Sequence, residues 1–309
     1  MEDLNQQEIS PFLSLGVLLF AGVSLWAFVV AAVRFMRGKF VPYERRRRVP
    51  WGALDLLLVF LIYGGLAVLA QRLAAEWFAL EPVSESTPRA GEGLEAAHPL
   101  VVLLHENPSL WTLLLCGFVG ILVAPIVEEF LFRLLLQGWL ESAEHRLRRS
   151  LPALRRLMPG AAPIVLASLF FGSLHYRGPL PVTDPKRLTV MFAAGALVSL
   201  VTLAGAVGLV RFRTGATAFD FGFVPEKLWP DVRLGLAAFV ALAAPIYLVQ
   251  INLRLWLPKH PIVDPITLFF FAAALGTLYY RTHRIVPSIV AHMALNTTSL
   301  LLAWHALVG

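Results

Sequence analysis

The sequence is poor in cysteine and in charged residues, and each shortage excludes a class of protein. Its one cysteine, Cys116, excludes a disulfide framework and a zinc site of the Cys-x-x-Cys type. Only 15% of its 309 residues are charged, whereas about a quarter of the residues of an ordinary soluble protein are. So few charges could not cover the surface of a soluble chain. An ordinary soluble enzyme, a disordered protein and a fibrous repeat are therefore excluded.

Long apolar runs are what the sequence has in abundance. Hydrophobic residues make up 58% of the chain, and its mean hydropathy is +0.70. Crossing a hydrocarbon layer of about 30 Å takes about 20 helical residues. The sequence predicts an all-α, polytopic membrane bundle of about eight transmembrane helices, near 12–35, 51–71, 110–139, 161–176, 188–210, 232–256, 265–281 and 285–305. The fourth run is short, so we expect its helix to begin earlier, within the basic stretch that precedes it.

The basic residues lie in short clusters between these runs and alternate from side to side. Sixteen Lys and Arg fall in the connections on one side and six in those on the other. The positive-inside rule places the richer side in the cytoplasm, so both termini are predicted to be extracytoplasmic. The net charge of +6 thus reflects topology, with the lipid bilayer and not nucleic acid as the partner. The loop 72–109 is predicted to be a flexible external excursion, because Ser84–Gly93 is rich in Ser, Glu, Pro and Gly.

Two acidic residues and one basic residue lie inside the third apolar run. A charge at the centre of a bilayer costs from about 3 kcal/mol upward, so each needs a reason. Glu129 and Arg133 are four residues apart, so they lie on one helix face and can pair, and Gln137 continues that stripe. Glu128 is rotated about 100° from Glu129 and points elsewhere. We interpret Glu128 as a carboxylate left free for chemistry; a structural ion pair alone would leave it unexplained.

Polar residues also interrupt the fourth and eighth runs. His175 lies near the end of the fourth, where a lone histidine can equally be an interfacial residue. His292 and Asn296 share one helical face of the eighth, where hydrogen bonding between helices would also explain them. With Glu128 they supply a base, two imidazoles and an amide on three spans. Such groups can activate water and stabilise an oxyanion.

Three motifs, taken in chain order, resemble a known family. They are Glu128-Glu129-x-x-x-Arg133, Phe171-x-x-x-His175 and His292-x-x-x-Asn296. In this order on membrane helices they are similar to those of the CPBP intramembrane proteases, the family of the eukaryotic CAAX prenyl endopeptidase Rce and of bacterial bacteriocin-processing and self-immunity proteins. Leu275–Thr282 also resembles the family's penultimate helix and turn. The resemblance covers about 111–176 and 265–305.

The resemblance implies an all-helical core that opens as a cavity to the cytoplasm. It also implies a role for each motif residue: Glu128 and His175 activate a water, His292 and Asn296 form the oxyanion site, and Glu129 and Arg133 support the architecture. The gap between the second and third motifs is longer than is usual in the family. We therefore predict an N-terminal two-span region with an external loop at 1–110, and a catalytic membrane domain at 111–309 with a two-span insertion at about 188–257.

We predict that no cofactor is needed. Zinc bound by Glu128, His175 and His292 is the alternative. Against zinc, the sequence has no His-x-x-x-His pair among these residues, and no further carboxylate is evident to orient the imidazoles. Asn296 lies one turn beyond His292, so amide and imidazole can both face one developing oxyanion, which favours a metal-free mechanism.

The predicted function is that of an intramembrane endopeptidase, a hydrolase that cleaves membrane-associated proteins or peptides near the cytoplasmic face. We expect it in the cytoplasmic (inner) membrane of a prokaryote. One alternative is a transporter whose buried charges relay protons or ions. Another is a catalytically silent immunity or scaffold protein of the same fold. The only hint of the matched halves found in transporters is a faint repeat. It relates Trp51…Gln71…His98-Pro99 to Trp229…Gln250…His260-Pro261.

The topology can be tested by cysteine labelling in intact cells. Single cysteines placed within Glu144–Arg149, in a chain whose Cys116 is replaced, should stay unreactive to an impermeant reagent until the membrane is permeabilised. A cysteine introduced at the N-terminus should react at once and serves as the control. Labelling of Glu144–Arg149 from outside would overturn the orientation.

Overall fold

The computed structural model describes residues 11–38, 41, 43–45, 48–78, 98–151, 156, 158–176, 184–258 and 260–308, with the backbone alone for 11–14 and 306–308. These residues form nine helices and no β-strand. The helices are α1 (Pro11–Met36), α2 (Ala53–Trp77), α3 (Pro99–Glu106), α4 (Leu110–Ser150), α5 (Ala161–Leu174), α6 (Pro185–Thr214), α7 (Leu228–Trp256), α8 (Val263–Thr282) and α9 (Val286–Val308). The protein is thus an all-α bundle, as predicted.

Seven of these helices are long and apolar enough to cross a membrane. The fourth predicted run is the exception, since α5 has only 14 residues. Our expectation that it begins earlier, in the basic stretch, is wrong: α5 begins at Ala161, directly after Gly160 in the left-handed conformation at φ 81°. A chain with this many apolar helices is an integral, multi-pass membrane protein.

The last part of the predicted external loop, residues 98–109, is described, and its helix α3 packs against the bundle. The side chain of His98 accepts the backbone N–H of Leu100 and so caps α3, whose first residue is Pro99. Three apolar residues of α3 are fully buried: Val102, Leu103 and Leu104. The prediction of a flexible excursion is therefore wrong for residues 98–109. Ser84–Gly93, on which that prediction rested, lies outside the described residues.

The long helix α4 is not uniformly α-helical. Two wider, π-helical segments, Phe118–Val123 and Phe130–Gln137, flank a short α-helical stretch, Ala124–Glu129. That stretch carries the two adjacent glutamates and also Pro125, which has no backbone N–H. Such π-helical bulges are rare in helices and frequent at functional sites. Three helices carry the other motifs around α4: α5, α8 and α9.

Close backbone contacts hold these helices together. A Cβ atom on Gly172 of α5 would come within 2.7 Å of the Pro265 carbonyl oxygen of α8. The Gln137 side chain of α4 donates a hydrogen bond of 2.8 Å to the carbonyl of Gly276 in α8. At the end of the bundle where α8 turns into α9, the buried Arg284 pairs with Asp231 at 2.6 Å and with Glu44. These contacts hold α4, α5 and α8 together and attach the turn between α8 and α9 to α7.

The close approach at Gly172 predicts a stability effect. We expect Gly172→Ala to destabilise the protein by about 1–3 kcal/mol, as overpacking typically does, because the atom that the added Cβ would meet belongs to the backbone. Gly195→Ala in α6 is the matched control, since nothing lies within 4 Å of its Cβ position. Unfolding of the two purified variants in detergent gives the comparison. Equal midpoints would contradict the packing argument.

Candidate active site

The two adjacent glutamates of α4 have different surroundings. The side chain of Glu129 is 0% exposed and that of Glu128 is 26% exposed. The difference follows from the helix itself, which turns successive residues by about 100°. Glu129 faces α9, and Glu128 lies at the edge of the same contact. One carboxylate is therefore enclosed and the other is accessible.

Glu129 lies between two groups that carry or can carry positive charge. Its Oε1 accepts a hydrogen bond of 3.0 Å from Nδ1 of His292, and its Oε2 lies 3.2 Å from Nε of Arg133. Both Arg133 and His292 are buried, so the pairing that the i, i+4 spacing predicts is present. The expectation that no carboxylate orients the imidazoles is wrong, because Glu129 orients His292.

His292 also faces the accessible glutamate. Its Nε2 lies 3.8 Å from Oε2 of Glu128, too far for a hydrogen bond but close enough for direct electrostatic interaction. Because Nδ1–H is donated to Glu129, Nε2 is the nitrogen of this ring that remains available to a reactant. Glu128 itself forms no hydrogen bond with any part of the chain that the structure describes. This accessible carboxylate is the member of the cluster left available to a reactant.

His175 ends α5 beside this cluster. Its Nδ1 donates a hydrogen bond of 2.8 Å to the carbonyl of Phe171, so its Nε2 is the nitrogen left for other contacts. Its ring lies against that of Phe171, with centroids 4.6 Å apart. The Phe171 ring in turn meets His292 edge-on at 6.1 Å and lies under the Arg133 guanidinium at 5.2 Å. His175 is thus held one aromatic ring away from His292.

Asn296 lies one turn beyond His292 but makes a different contact. Its Nδ2 donates a hydrogen bond of 2.7 Å to the backbone carbonyl of Gly120, in the first π-helical segment of α4. One of the two amide protons is therefore committed to the protein itself. The expectation that Asn296 faces the same oxyanion as His292 stays a prediction.

The structure brings four of the predicted residues into one contact network and places two at its margin. Glu128, Glu129, Arg133 and His292 form the network; His175 and Asn296 flank it. Within the described ranges, no three His, Cys, Asp or Glu side chains lie close enough together to hold a metal ion. The donor set proposed for zinc is therefore not assembled in this arrangement.

Sequence reasoning missed what encloses the site. Phe271 of α8 meets the His292 ring edge-on at 5.3 Å and completes an aromatic wall with Phe171. Gln137, placed on the stripe of Glu129, instead bonds to α8. No sequence pattern distinguishes Phe271 from its neighbours Phe269 and Phe270, because all three are apolar residues in one helix.

A separate polar cavity of about 350 Å³ opens at the end of α4 that is predicted to be cytoplasmic. It is lined by both charged and aromatic groups, among them Arg48, Glu141, Arg148, Tyr280 and His283. None of the six predicted site residues lines it. The cytoplasmic opening that we expect for the site therefore stays a prediction.

The comparisons with known proteins agree with this arrangement at the level of the family. The family model of type II CAAX prenyl endopeptidase Rce1-like proteins matches residues 110–219 and 221–298, more than half of the chain. The match contains all six predicted site residues, and it runs through 188–257, where the predicted insertion stays a prediction. No curated protein and no solved structure matches the chain significantly. On the family match and the site geometry, this membrane-embedded chain belongs to the Rce1-like type II CAAX prenyl endopeptidase family, a protease family.

Proposed function

We propose that this protein is an intramembrane endopeptidase that hydrolyses membrane-associated protein or peptide substrates. One observation carries the proposal: an accessible Glu128 faces Nε2 of His292, whose Nδ1 is held by the buried Glu129. A base, an oriented imidazole and a carboxylate that fixes the imidazole are the groups that activation of water requires. Membership of a protease family supports the same reaction class and does not favour a transporter.

In the proposed reaction, Glu128 is the general base. It takes a proton from a water molecule, and the resulting hydroxide attacks the carbonyl carbon of the scissile peptide bond. The tetrahedral intermediate then collapses, the C–N bond breaks, and the proton passes to the leaving nitrogen. The same carboxylate can accept and return that proton, because its side chain is accessible and is engaged by no hydrogen bond to the described residues.

His292 is proposed to stabilise the developing oxyanion. A proton on Nε2 can be donated to that oxygen, while Glu129 holds the other side of the ring. One well-placed donor of this kind is typically worth about 3–4 kcal/mol of transition-state stabilisation. This role requires a proton on each nitrogen of His292, because Nδ1–H is already donated to Glu129; with Glu128, Glu129 and Arg133 charged, the formal charges of the four groups then sum to zero. A neutral cluster suits an apolar bilayer.

His175 and Asn296 are proposed to contribute from the margin of this cluster. His175 is oriented by its Nδ1–H bond to Phe171, and its Nε2 would help to hold the attacking water. Asn296 commits one amide proton to Gly120, so the oxyanion contact predicted from the sequence would have to use its second amide proton. That second contact would have to form without breaking the first; the alternative is that the bond to Gly120 is itself the contribution of Asn296.

The partners of this reaction follow from where the site lies. The residues are carried by apolar helices, so the substrate must present a peptide bond at or within the lipid bilayer. The basic loops point to hydrolysis near the cytoplasmic face, and we place the enzyme in the cytoplasmic membrane of a prokaryote. A silent scaffold of the same fold would have no need for an accessible carboxylate beside an oriented histidine.

The different roles of the two glutamates, as general base and as partner of Arg133 and His292, can be tested by mutation. Glu128→Gln should leave folded yield in detergent unchanged and abolish cleavage of a peptide library, because the base is lost and the fold does not depend on it. Arg133→Ala should lower folded yield, since leaving a buried charge unpaired typically costs about 3–5 kcal/mol. Glu226→Gln, an exposed change, is the matched control for both readouts.

Three results would contradict the proposal. Cleavage by Glu128→Gln at the wild-type rate would remove the proposed base. Full yield together with full activity in Arg133→Ala would show that Glu129 does not depend on Arg133. Flux of ions or solutes without any cleavage by the wild-type protein would favour a transporter.

Metal independence can be tested directly. We expect cleavage to survive exhaustive chelation, because the residues proposed for zinc are not gathered into a metal-binding group within the described residues. Elemental analysis of the active protein should accompany the assay. Stoichiometric zinc, with activity lost on its removal and restored on its return, would refute the metal-free reaction.

A further inference from the structure

The hydrogen-bond ladder of α4 is interrupted just before the paired glutamates. The first π-helical segment ends with a bond of the wide register, in which the N–H of Ala124 donates to the Val119 carbonyl, five residues earlier. The same register assigns the Gly120 carbonyl to residue 125. That residue is Pro125, which has no N–H to donate. The backbone of α4 alone therefore leaves Gly120 without its donor.

A neighbouring helix supplies the missing donor. Nδ2 of Asn296, on α9, lies 2.7 Å from the Gly120 carbonyl oxygen, in the place of the bond that Pro125 cannot make. A membrane interior offers no solvent to such a carbonyl, so a partner must come from the protein. Among the common side chains of that size, an amide is well suited, because it can donate without carrying charge.

This bond and that of His292 to Glu129 both attach α9 to α4, and they lie on opposite sides of Pro125. Asn296 binds Gly120, five residues before the proline, and His292 binds Glu129, four residues after it. The stretch between these attachments contains Glu128. The width of the π-helical turn sets the rotation of the residues that follow it, so it sets where Glu128 lies relative to Nε2 of His292.

We propose that Asn296 is a positioning residue for Glu128. Its amide replaces the backbone donor that Pro125 lacks, stabilises the wide turn of α4, and so holds Glu128 against His292. The stability effect of this contact does not depend on catalysis. Its effect on turnover rests on the proposed function.

A double-mutant cycle in the full-length protein in detergent tests the contact. Asn296→Ala should raise the unfolding equilibrium constant roughly tenfold, because it leaves a buried carbonyl unpaired. In a Pro125→Ala background the same change should have little effect, since residue 125 regains an N–H. Pro125→Leu restores the same N–H and replaces Pro125→Ala if that variant folds poorly. Additive effects of the two changes would overturn the proposal.

An interior proline elsewhere provides the matched control. Pro245 lies inside α7, outside the Gly120–Asn296 contact. Combining Pro245→Ala with Asn296→Ala should give additive changes in stability. Coupling as strong as that with Pro125 would show a general effect of removing helix prolines, and would count against a specific replacement of the missing donor.

The activity of the same variants separates positioning from direct catalysis. Asn296→Ala should lower kcat with little change in KM, and Pro125→Ala combined with Asn296→Ala should recover most of the lost kcat. A donor to the oxyanion could not be replaced by a backbone N–H at residue 125. A double variant as inactive as Asn296→Ala would therefore overturn the positioning role. If the wild-type protein cleaves nothing, the proposed function fails, while the unfolding cycle still decides the contact.

Discussion

The contact on which the site depends is the carboxylate of Glu129, held between Arg133 and His292 inside the bundle. Both partners are buried, and the distances are 3.2 Å to Nε of the arginine and 3.0 Å to Nδ1 of the histidine. Burying an ion pair contributes little net stability, but removing one member is costly because the other is left uncompensated. Glu129 therefore fixes the relation of α4 to α9, and any change in it alters the ring that faces Glu128.

Part of this arrangement follows from the sequence because it is local. The pairing of Glu129 with Arg133 and the separate direction of Glu128 need only the helical repeat. The bond of Glu129 to His292 joins residues 163 positions apart, and that of Asn296 to Gly120 joins residues 176 apart. With one sequence, no local pattern reports such pairs, so an oriented imidazole was not expected and Asn296 was assigned to the oxyanion alone.

Local signals in the sequence indicate both features on which the predicted fold was wrong. Pro159-Gly160 is a strong turn signal. It predicts that α5 begins at Ala161 and not in the basic stretch. His98-Pro99 followed by five apolar residues is a helix start within the supposed loop. His260-Pro261 forms the same kind of bond, in which the backbone N–H of Ile262 donates to Nδ1 of His260. The faint repeat thus has a local explanation in turn and cap chemistry, which removes part of its support for matched halves.

Pro125, which lies just before the paired glutamates, determines how α4 and α9 are joined. If every backbone hydrogen bond of α4 were formed, the helix would keep a single register. It would then offer α9 no free carbonyl to bind at this point. Pro125 breaks that register next to Glu128 and exposes the Gly120 carbonyl toward α9, so the break itself creates the second attachment point. Two attachments, one on each side of Pro125, restrict the rotation of the intervening turn more than either could. An accessible carboxylate can then be held 3.8 Å from an imidazole without a hydrogen bond of its own to any described residue, which is the condition a general base must meet before water arrives.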